Sequence, residues 1–248
     1  MSEQIISRVS RIVEWHRSQL NVNNPSVLAV PQKDQWKAWD DNKLWCTFFF
    51  SVISPGGSIN ARKYLRLIES GELAFELNPS KLSEMTDEQR IEEIWSLGVG
   101  NNYINTRLAR FFSKPGKKYV ENSLQSNLND TFLQLKNRGF IAWFVEINKI
   151  SDERSKAMEL EFLPGSKFKV SRDFLNNVGM TETLIPLDVH ILGEMIDNWG
   201  WDVPKHTPPV RCKYEEIEDA VREIAEKVHC KVVEIDKAIV SWRISQRH

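Results

Sequence analysis

The stretch that decides the fold is LEFLPGSKFKVSRDFLNNVGMTETLIPLDVHILGEMI, residues Leu160 to Ile196. Helical periodicity runs into it from Ser151, and a Pro-Gly turn at 163–167 interrupts that periodicity. The pattern predicts a second helix from Phe168 to Val178, with Gly179 as its left-handed terminator. A helix, a short glycine turn and a helix can present backbone N–H groups to a phosphate. The same pattern is also typical of an ordinary corner between two helices.

Helical periodicity dominates the rest of the 248-residue chain, and alternating strand-like runs are hard to find, so we predict an all-α protein. Amphipathic patterns predict an opening helix that starts near Ile5 and two closing helices at 214–228 and 232–244. The apolar run 44–53 has strand-like composition, but its place before SPGGS and a further periodic stretch favours a buried helix. Thr86 precedes Gln89 by three residues, the spacing of a capping box.

Bulk composition excludes several classes of protein. A chain that is 41% hydrophobic and 27% charged is typical of a folded soluble protein. The longest apolar run is about half of what a membrane span needs, and the N-terminus lacks the apolar segment of a secretory signal. We therefore expect a cytoplasmic protein with no membrane partner. Cys46, Cys212 and Cys230 are far apart, which predicts neither a disulfide framework nor a cysteine metal site.

The formal net charge of −1 gives no global reason to favour nucleic acid, so a DNA-binding hypothesis depends on local clusters of charge. Between Gly98 and Tyr119 there are five basic residues and no acidic ones: Arg107, Arg110, Lys114, Lys117 and Lys118. The hairpin adds Lys167, Lys169 and Arg172. Together these side chains would make a phosphate-binding stripe, although a basic run is commonly just a solvated face.

Lys169 follows Gly165 by four residues, and Asp188 follows Lys169 by nineteen and opens the next helix as LDVHIL. In this spacing the chain resembles the helix-hairpin-helix DNA glycosylases. In that superfamily L-P-G-x-G-x-K supplies the hairpin and a nucleophilic lysine, and D-x-H supplies an essential aspartate. Lys169 matches that lysine and Asp188 that aspartate. FLNNVGM and the C-terminal EEIEDAVREIAEKV and EIDKAIVSW are closest to the archaeal-type (type 2) 8-oxoguanine DNA glycosylase/AP lyases.

The resemblance implies a two-lobed fold with the active site in the cleft between the lobes. Residues 1–52 would pack with the C-terminal lobe, 53–185 would form the helical lobe with the hairpin, and 186–248 the C-terminal lobe. Lys169 and Asp188 would be the catalytic residues. The DNA-binding residues would be Gly165, Ser166, Lys167, Phe168, Arg172, Arg107 and His190. Trp242 falls roughly where the closing helix of the family lines the base pocket, and core packing is the other interpretation of this side chain.

The implied function is a bifunctional DNA glycosylase/AP lyase that excises an oxidised purine, with 8-oxoguanine as the leading lesion. The expected partner is damaged double-stranded DNA and the expected state a monomer, nucleoid-associated if the source is prokaryotic. No cofactor is expected, nor a metal at His190, since no second histidine or cysteine lies at ligand spacing. The alternatives are a monofunctional glycosylase for another lesion and a DNA-binding module that has lost catalysis.

Two departures from the family favour the inactive alternative. Lys167 stands where the family usually has the second hairpin glycine, and its side chain could obstruct the approach of the backbone to phosphate. Its ammonium could equally contact a phosphate directly. The loop SPGGS at 54–58 has no Gln or Asn to fill the hole that a flipped base leaves.

Overall fold

The structure is a computed structural model, and it describes residues 2–53, 84–86, 89, 139–161, 163 and 166–246. Across these ranges the regular elements are helices: α1 (Glu3–Asn21), α2 (Asp41–Ile53), α3 (Phe140–Asn148), α4 (Glu153–Glu161), α5 (Phe168–Asn177), α6 (Val189–Trp199), α7 (Arg211–Val228) and α8 (Val232–Ser245), with a 3-10 turn at Gln35–Ala38. These ranges contain no β-strand, which confirms the predicted all-α class.

Several predicted features lie outside the described residues. They are Gly165 in the hairpin turn, the loop SPGGS at 54–58, and the basic stretch between Gly98 and Tyr119 that contains Arg107.

The chain divides into two compact units. One consists of Met1–Lys33 and Leu175–His248, and the other of Asp34–Phe174. This division falls at 33/34 and 174/175. The lobe boundaries that the resemblance implies, at 52/53 and 185/186, stay a prediction.

Aromatic packing explains why α2 groups with the middle of the chain. Trp45 and Phe48 are fully buried, with their ring centroids 5.8 Å apart. Phe48 meets Phe174 edge-on at 5.3 Å, and Phe174 in turn lies 5.2 Å from Phe144 of α3. Burial of such large rings is a major favourable term in folding, so α2 belongs with α3 and the start of α5. The run 44–53 is thus helical, as predicted, and its side chains at Leu44, Trp45 and Phe48 are buried.

In the unit that contains both chain ends, α1 packs against α6, α7 and α8. Its buried face is formed by Val9, Ile12 and Val13, at the spacing of successive helical turns. Arg17 adds a two-pronged contact to Glu234 of α8, at 2.6 and 3.0 Å. The first helix therefore shares one core with the last three.

The buried carboxylate of Glu194 connects three helices of this unit. Glu194 lies on α6, and it accepts hydrogen bonds from Arg8 of α1 at 2.5 Å and from Arg243 of α8 at 3.5 Å. Next to it, a Cβ at Gly193 would lie 2.8 Å from the Arg243 guanidinium. The small residue lets the cation approach, and the cation compensates for the burial of the carboxylate.

Local capping rules hold where the structure describes them. The Thr86 backbone N–H donates to the Gln89 side chain at 2.8 Å, and the Gln89 backbone N–H donates to the Thr86 hydroxyl at 3.3 Å. This reciprocal pair confirms the predicted capping box.

None of the helices in the described ranges combines the length and the apolar character needed to cross a membrane. In the same ranges, no group of three or more His, Cys, Asp or Glu side chains could hold a metal ion.

The buried His16 makes stability depend on pH. His16 is fully buried on α1 and its Nε2 lies 2.8 Å from the Leu28 carbonyl oxygen. Desolvation lowers the pKa of His16 from 6.5, and the hydrogen bond to Leu28 only partly opposes this. The folded state therefore binds this proton less readily than the unfolded state. The resulting stability is present above about pH 6.5 and is lost as the pH falls below it.

We expect the free energy of unfolding to fall between pH 7.5 and pH 5.5 more steeply in the wild type than in His16→Gln, measured by urea titration. The exposed His206 provides the matched control, because His206→Gln should keep the wild-type slope. Equal slopes for all three proteins would show that His16 does not carry this dependence.

Candidate active site

The hairpin of α4 and α5 is closed by local hydrogen bonds. Leu163 N–H donates to the Leu160 carbonyl at 3.1 Å, and Ser166 N–H to the Leu163 carbonyl at 2.9 Å. At the far end of α5, Gly179 has a φ of +73°, and Met180 N–H donates to the Leu175 carbonyl at 2.9 Å. This confirms the predicted glycine terminator, because a left-handed residue after a helix is the position that glycine fills best.

The start of α4 differs slightly from the prediction. The sequence pattern predicts a helix that begins at Ser151, but α4 begins at Glu153. The Asp152 carboxylate accepts hydrogen bonds from the Ser155 N–H and hydroxyl, both at 2.7 Å. Asp152 therefore caps the helix.

Arg172 has a structural role that corrects its predicted one. Its side chain is fully buried, and it donates to Glu161 of α4 at 2.9 Å and to the Phe168 carbonyl at 3.2 Å. A guanidinium held in this way is not exposed to a phosphate. Arg172 instead joins the two helices of the hairpin, and its charge offsets that of Glu161, which is 9% exposed.

Ser166 is likewise corrected, whereas Lys167 is accessible. The Ser166 side chain is fully buried, and its N–H is used within the turn, so it offers no direct contact to a phosphate. Lys167 is exposed and Phe168 half-buried at the start of α5. The predicted DNA contacts of these two residues stay predictions.

Lys169 is the second residue of α5 and its side chain is 18% exposed. Its Nζ lies 3.4 Å from Oδ2 of Asp173, one helical turn further along. The amine is therefore held on a rigid helix beside a carboxylate. An amine so placed is partly shielded but still reachable.

Asp188 is the N-cap of α6 and uses one of its two oxygens for that purpose. Oδ1 accepts from the N–H groups of His190 at 2.8 Å and Ile191 at 2.9 Å. Within the described part of the chain, Oδ2 accepts no hydrogen bond. Asp188 is half-buried, so one carboxylate oxygen caps the helix while the other lies in a partly accessible position.

Tyr214 of α7 fixes the backbone just before Asp188, a role that the sequence analysis missed. Its hydroxyl accepts from the Leu187 N–H at 2.9 Å and donates to the Ile185 carbonyl at 2.8 Å. The Thr207 hydroxyl donates to the Leu187 carbonyl at 2.8 Å. The only sequence signal is a tyrosine at an apolar position of α7, which does not reveal its partners.

A second group of side chains holds the earlier part of the same segment. The Asn176 amide donates to the Leu184 carbonyl at 2.9 Å and accepts from the Thr181 hydroxyl at 2.7 Å. The Ile185 N–H donates to the Glu218 carboxylate at 3.3 Å. The backbone between α5 and α6 is therefore anchored to side chains from both α5 and α7.

The remaining predicted residues have definite places. His190 is half-buried in the first turn of α6, directly linked to Asp188 through its backbone. Trp242 of α8 is half-buried and meets Trp15 of α1 edge-on at 5.1 Å. Part of this ring therefore packs in the core, and its role in a base pocket stays a prediction.

Lys169 and Asp188 belong to different units of the chain, Asp34–Phe174 and Leu175–His248. The cleft that the resemblance places between them stays a prediction.

In the arrangement of its helices and its hairpin, the chain has the fold of the helix-hairpin-helix DNA glycosylases. In particular, its structure is similar to the crystal structure of the 8-oxoguanine DNA glycosylase of Methanocaldococcus jannaschii, with a TM-score of 0.67 over 98% of this chain and 96% of that one, at 18% sequence identity. It is also similar to the 8-oxoguanine glycosylase/lyase of that organism in complex with a 15mer DNA containing 8-oxoguanine, with a TM-score of 0.60 over 86% of each chain, at 21% identity.

A comparison of sequences finds a relative from the same archaeal organism as these two structures. The chain is 40% identical over 75 residues to an 8-oxoguanine DNA glycosylase/AP lyase of Methanocaldococcus jannaschii, a match that covers 30% of this chain and 35% of that relative. No family model matches the chain. The predicted resemblance is therefore confirmed for the fold, and the sequence match spans about a third of the curated relative.

The Arg172 pair offers a direct test of the hairpin. Arg172→Met should lower the free energy of unfolding by about 3–5 kcal/mol, because the variant breaks the ion pair between the buried guanidinium and Glu161. Lys167→Met, an exposed substitution in the same hairpin, should change it by about 0.5 kcal/mol or less. Urea unfolding of both variants makes the measurement. A loss of stability in Arg172→Met no larger than that in Lys167→Met would contradict the structural role.

Proposed function

We propose that the chain is a bifunctional DNA glycosylase/AP lyase that excises an oxidised purine, 8-oxoguanine first, from double-stranded DNA. The proposal rests on one observation: the chain combines the fold of a DNA glycosylase with the lysine and aspartate motif of that superfamily. The fold of an 8-oxoguanine DNA glycosylase extends over 98% of the chain. On that fold, Lys169 lies in the first turn after the hairpin and Asp188 caps the next helix, where the resemblance expects the nucleophile and the aspartate.

The chemistry suits these two side chains. In its neutral form, Lys169 Nζ attacks C1′ of an extruded nucleotide, and the base leaves with the electrons of the glycosidic bond. The sugar ring then opens to a Schiff base on Nζ. Loss of a C2′ proton breaks the C3′–O bond and cuts the strand, and water finally releases the lysine. Oδ2 of Asp188, which the helix does not use, can stabilise positive charge developing on the sugar.

DNA is the partner that the accessible charges favour. Lys167 is exposed at the hairpin, and the Lys169 amine, two residues further along, is partly accessible. Such cations bind phosphates without reading sequence, as lesion search requires. The similar Methanocaldococcus jannaschii structure with DNA containing 8-oxoguanine supports the same partner for this chain.

One observation favours a second candidate, a DNA-binding module without catalysis. Lys167 occupies the position where the family has its second hairpin glycine, which alters the surface that faces the DNA backbone. This candidate keeps affinity for lesion duplexes and releases no base. A monofunctional glycosylase would release base without cutting the strand.

Borohydride reduction separates these activities. Incubation of the wild type with an 8-oxoguanine duplex and borohydride should give a covalent protein–DNA product, because reduction fixes the Schiff base. Lys169→Gln should give none and should keep its folded circular dichroism spectrum, since this partly exposed side chain makes one long ion pair, at 3.4 Å, among the residues that the structure describes.

Lys167→Gln is the matched control, two residues away on the same turn. At saturating DNA it should still be trapped. Trapping of Lys169→Gln at the wild-type level would remove Lys169 from the mechanism. Base release by the wild type without trapping would favour the monofunctional enzyme, and binding alone would favour the inactive module.

Lys167 should act as a direct phosphate contact, because its side chain is exposed at the hairpin. We expect Lys167→Gly to change DNA affinity only modestly and to reduce the slope of log K against log salt by about one unit. Fluorescence anisotropy over a salt series measures both quantities. If the glycine variant instead binds severalfold more tightly at fixed salt, the lysine is an obstacle and not a contact.

A further inference from the structure

The segment that delivers Asp188 is buried without being helical. Residues 184–187 are all buried, although they lie outside any regular element. Peptide groups in such a place need partners other than a helix or a sheet, because an unpaired buried N–H or carbonyl is costly. Side chains from neighbouring helices supply these partners.

Among these side chains, Tyr214 uses its hydroxyl to bind two peptide groups of the segment. It is fully buried, and it bridges the Leu187 N–H and the Ile185 carbonyl at 2.9 and 2.8 Å. One hydroxyl thus acts as acceptor for one peptide group and donor to another, two residues apart. This bridge fixes the chain direction at Leu187, the residue that immediately precedes Asp188.

The position of the Asp188 carboxylate depends on this bridge. Asp188 N–H donates to the Pro186 carbonyl at 2.8 Å, so the backbone turns sharply there. Oδ1 accepts hydrogen bonds from two backbone N–H groups of α6. The direction of Oδ2 is therefore fixed both by the backbone before Asp188 and by the helix after it. A shift of Leu187 would turn Oδ2 away even if the cap survived.

We propose that Tyr214 is a positioning residue for Asp188, an inference that rests on the proposed glycosylase function of this carboxylate. Tyr214 does not touch the reacting sugar. It acts by holding the peptide before Asp188, with the help of Thr207 on the Leu187 carbonyl. Misplacing a reacting group by about 1 Å can cost about 100-fold in rate, so a fixed backbone here matters for chemistry.

The test uses Tyr214→Phe, which removes the hydroxyl and keeps the ring, in the wild-type and Asp188→Asn backgrounds. Base release from an 8-oxoguanine duplex is measured under single-turnover conditions. In the wild-type background the rate should fall about tenfold or more, with DNA affinity unchanged. In the Asp188→Asn background the hydroxyl should have no further effect on the rate, because the group that it positions is already inactive.

Val9→Ala is the matched control for lost stability. Val9 is fully buried on α1, in the same unit, and is not one of the side chains that hydrogen-bond the segment before Asp188. It should lower the melting temperature and leave the rate near that of the wild type. If Tyr214→Phe lowers the rate equally in both backgrounds, its role is general stability and the proposal is overturned.

Amide hydrogen exchange gives an answer that does not depend on activity. Tyr214→Phe should accelerate exchange at Leu187, His190 and Ile191, and Val9→Ala should not do so selectively. Unchanged exchange at these amides would overturn the proposal even for an active enzyme. A wild type that releases no base from lesion duplexes would refute the proposed function, and the exchange data would then decide alone whether Tyr214 holds Asp188.

Discussion

The need to satisfy buried peptide groups outside regular structure governs the half of the molecule that contains Asp188. The chain leaves α5, crosses the interior as an irregular segment and enters α6. Water cannot solvate its buried amides and carbonyls there, so several of them are paired with side chains instead. Asn176, Tyr214 and Glu218 serve this purpose from two different helices. The packing of α7 against this segment is therefore specified by hydrogen bonds as well as by apolar area.

Rigid surroundings of this kind suit the role proposed for Asp188, whose carboxylate would both cap a helix and face the substrate. The same unit also keeps Glu194 buried between two arginines, which fixes α6 from its other side. Helix α6 is thus held at its N-cap, Asp188, and again at Glu194. Lys169, in contrast, is fixed by its own helix and by Asp173. Each candidate catalytic group therefore depends on a separate local framework.

The sequence predicted the features whose signals are local. Gly179 as a terminator and Asp188 as a helix start depend on residues within one turn of themselves, and both are confirmed. The Arg172–Glu161 pair spans 11 residues and forms only because the hairpin folds back, so Arg172 was assigned to DNA from its charge. Tyr214 reaches a carbonyl 29 residues away, and no local pattern encodes such a contact. The extent of the two units is also non-local, since it depends on aromatic rings that meet across long sequence distances.

The divided use of Asp188 has an evolutionary consequence. An asparagine at this position would keep the oxygen that caps α6, because Asn caps helices about as well as Asp. It would replace the second oxygen by an NH₂ group and so remove the negative charge. Aspartate and asparagine codons differ by a single nucleotide. Under the proposed function, a single point mutation would therefore remove the reactive carboxylate and keep the helix cap.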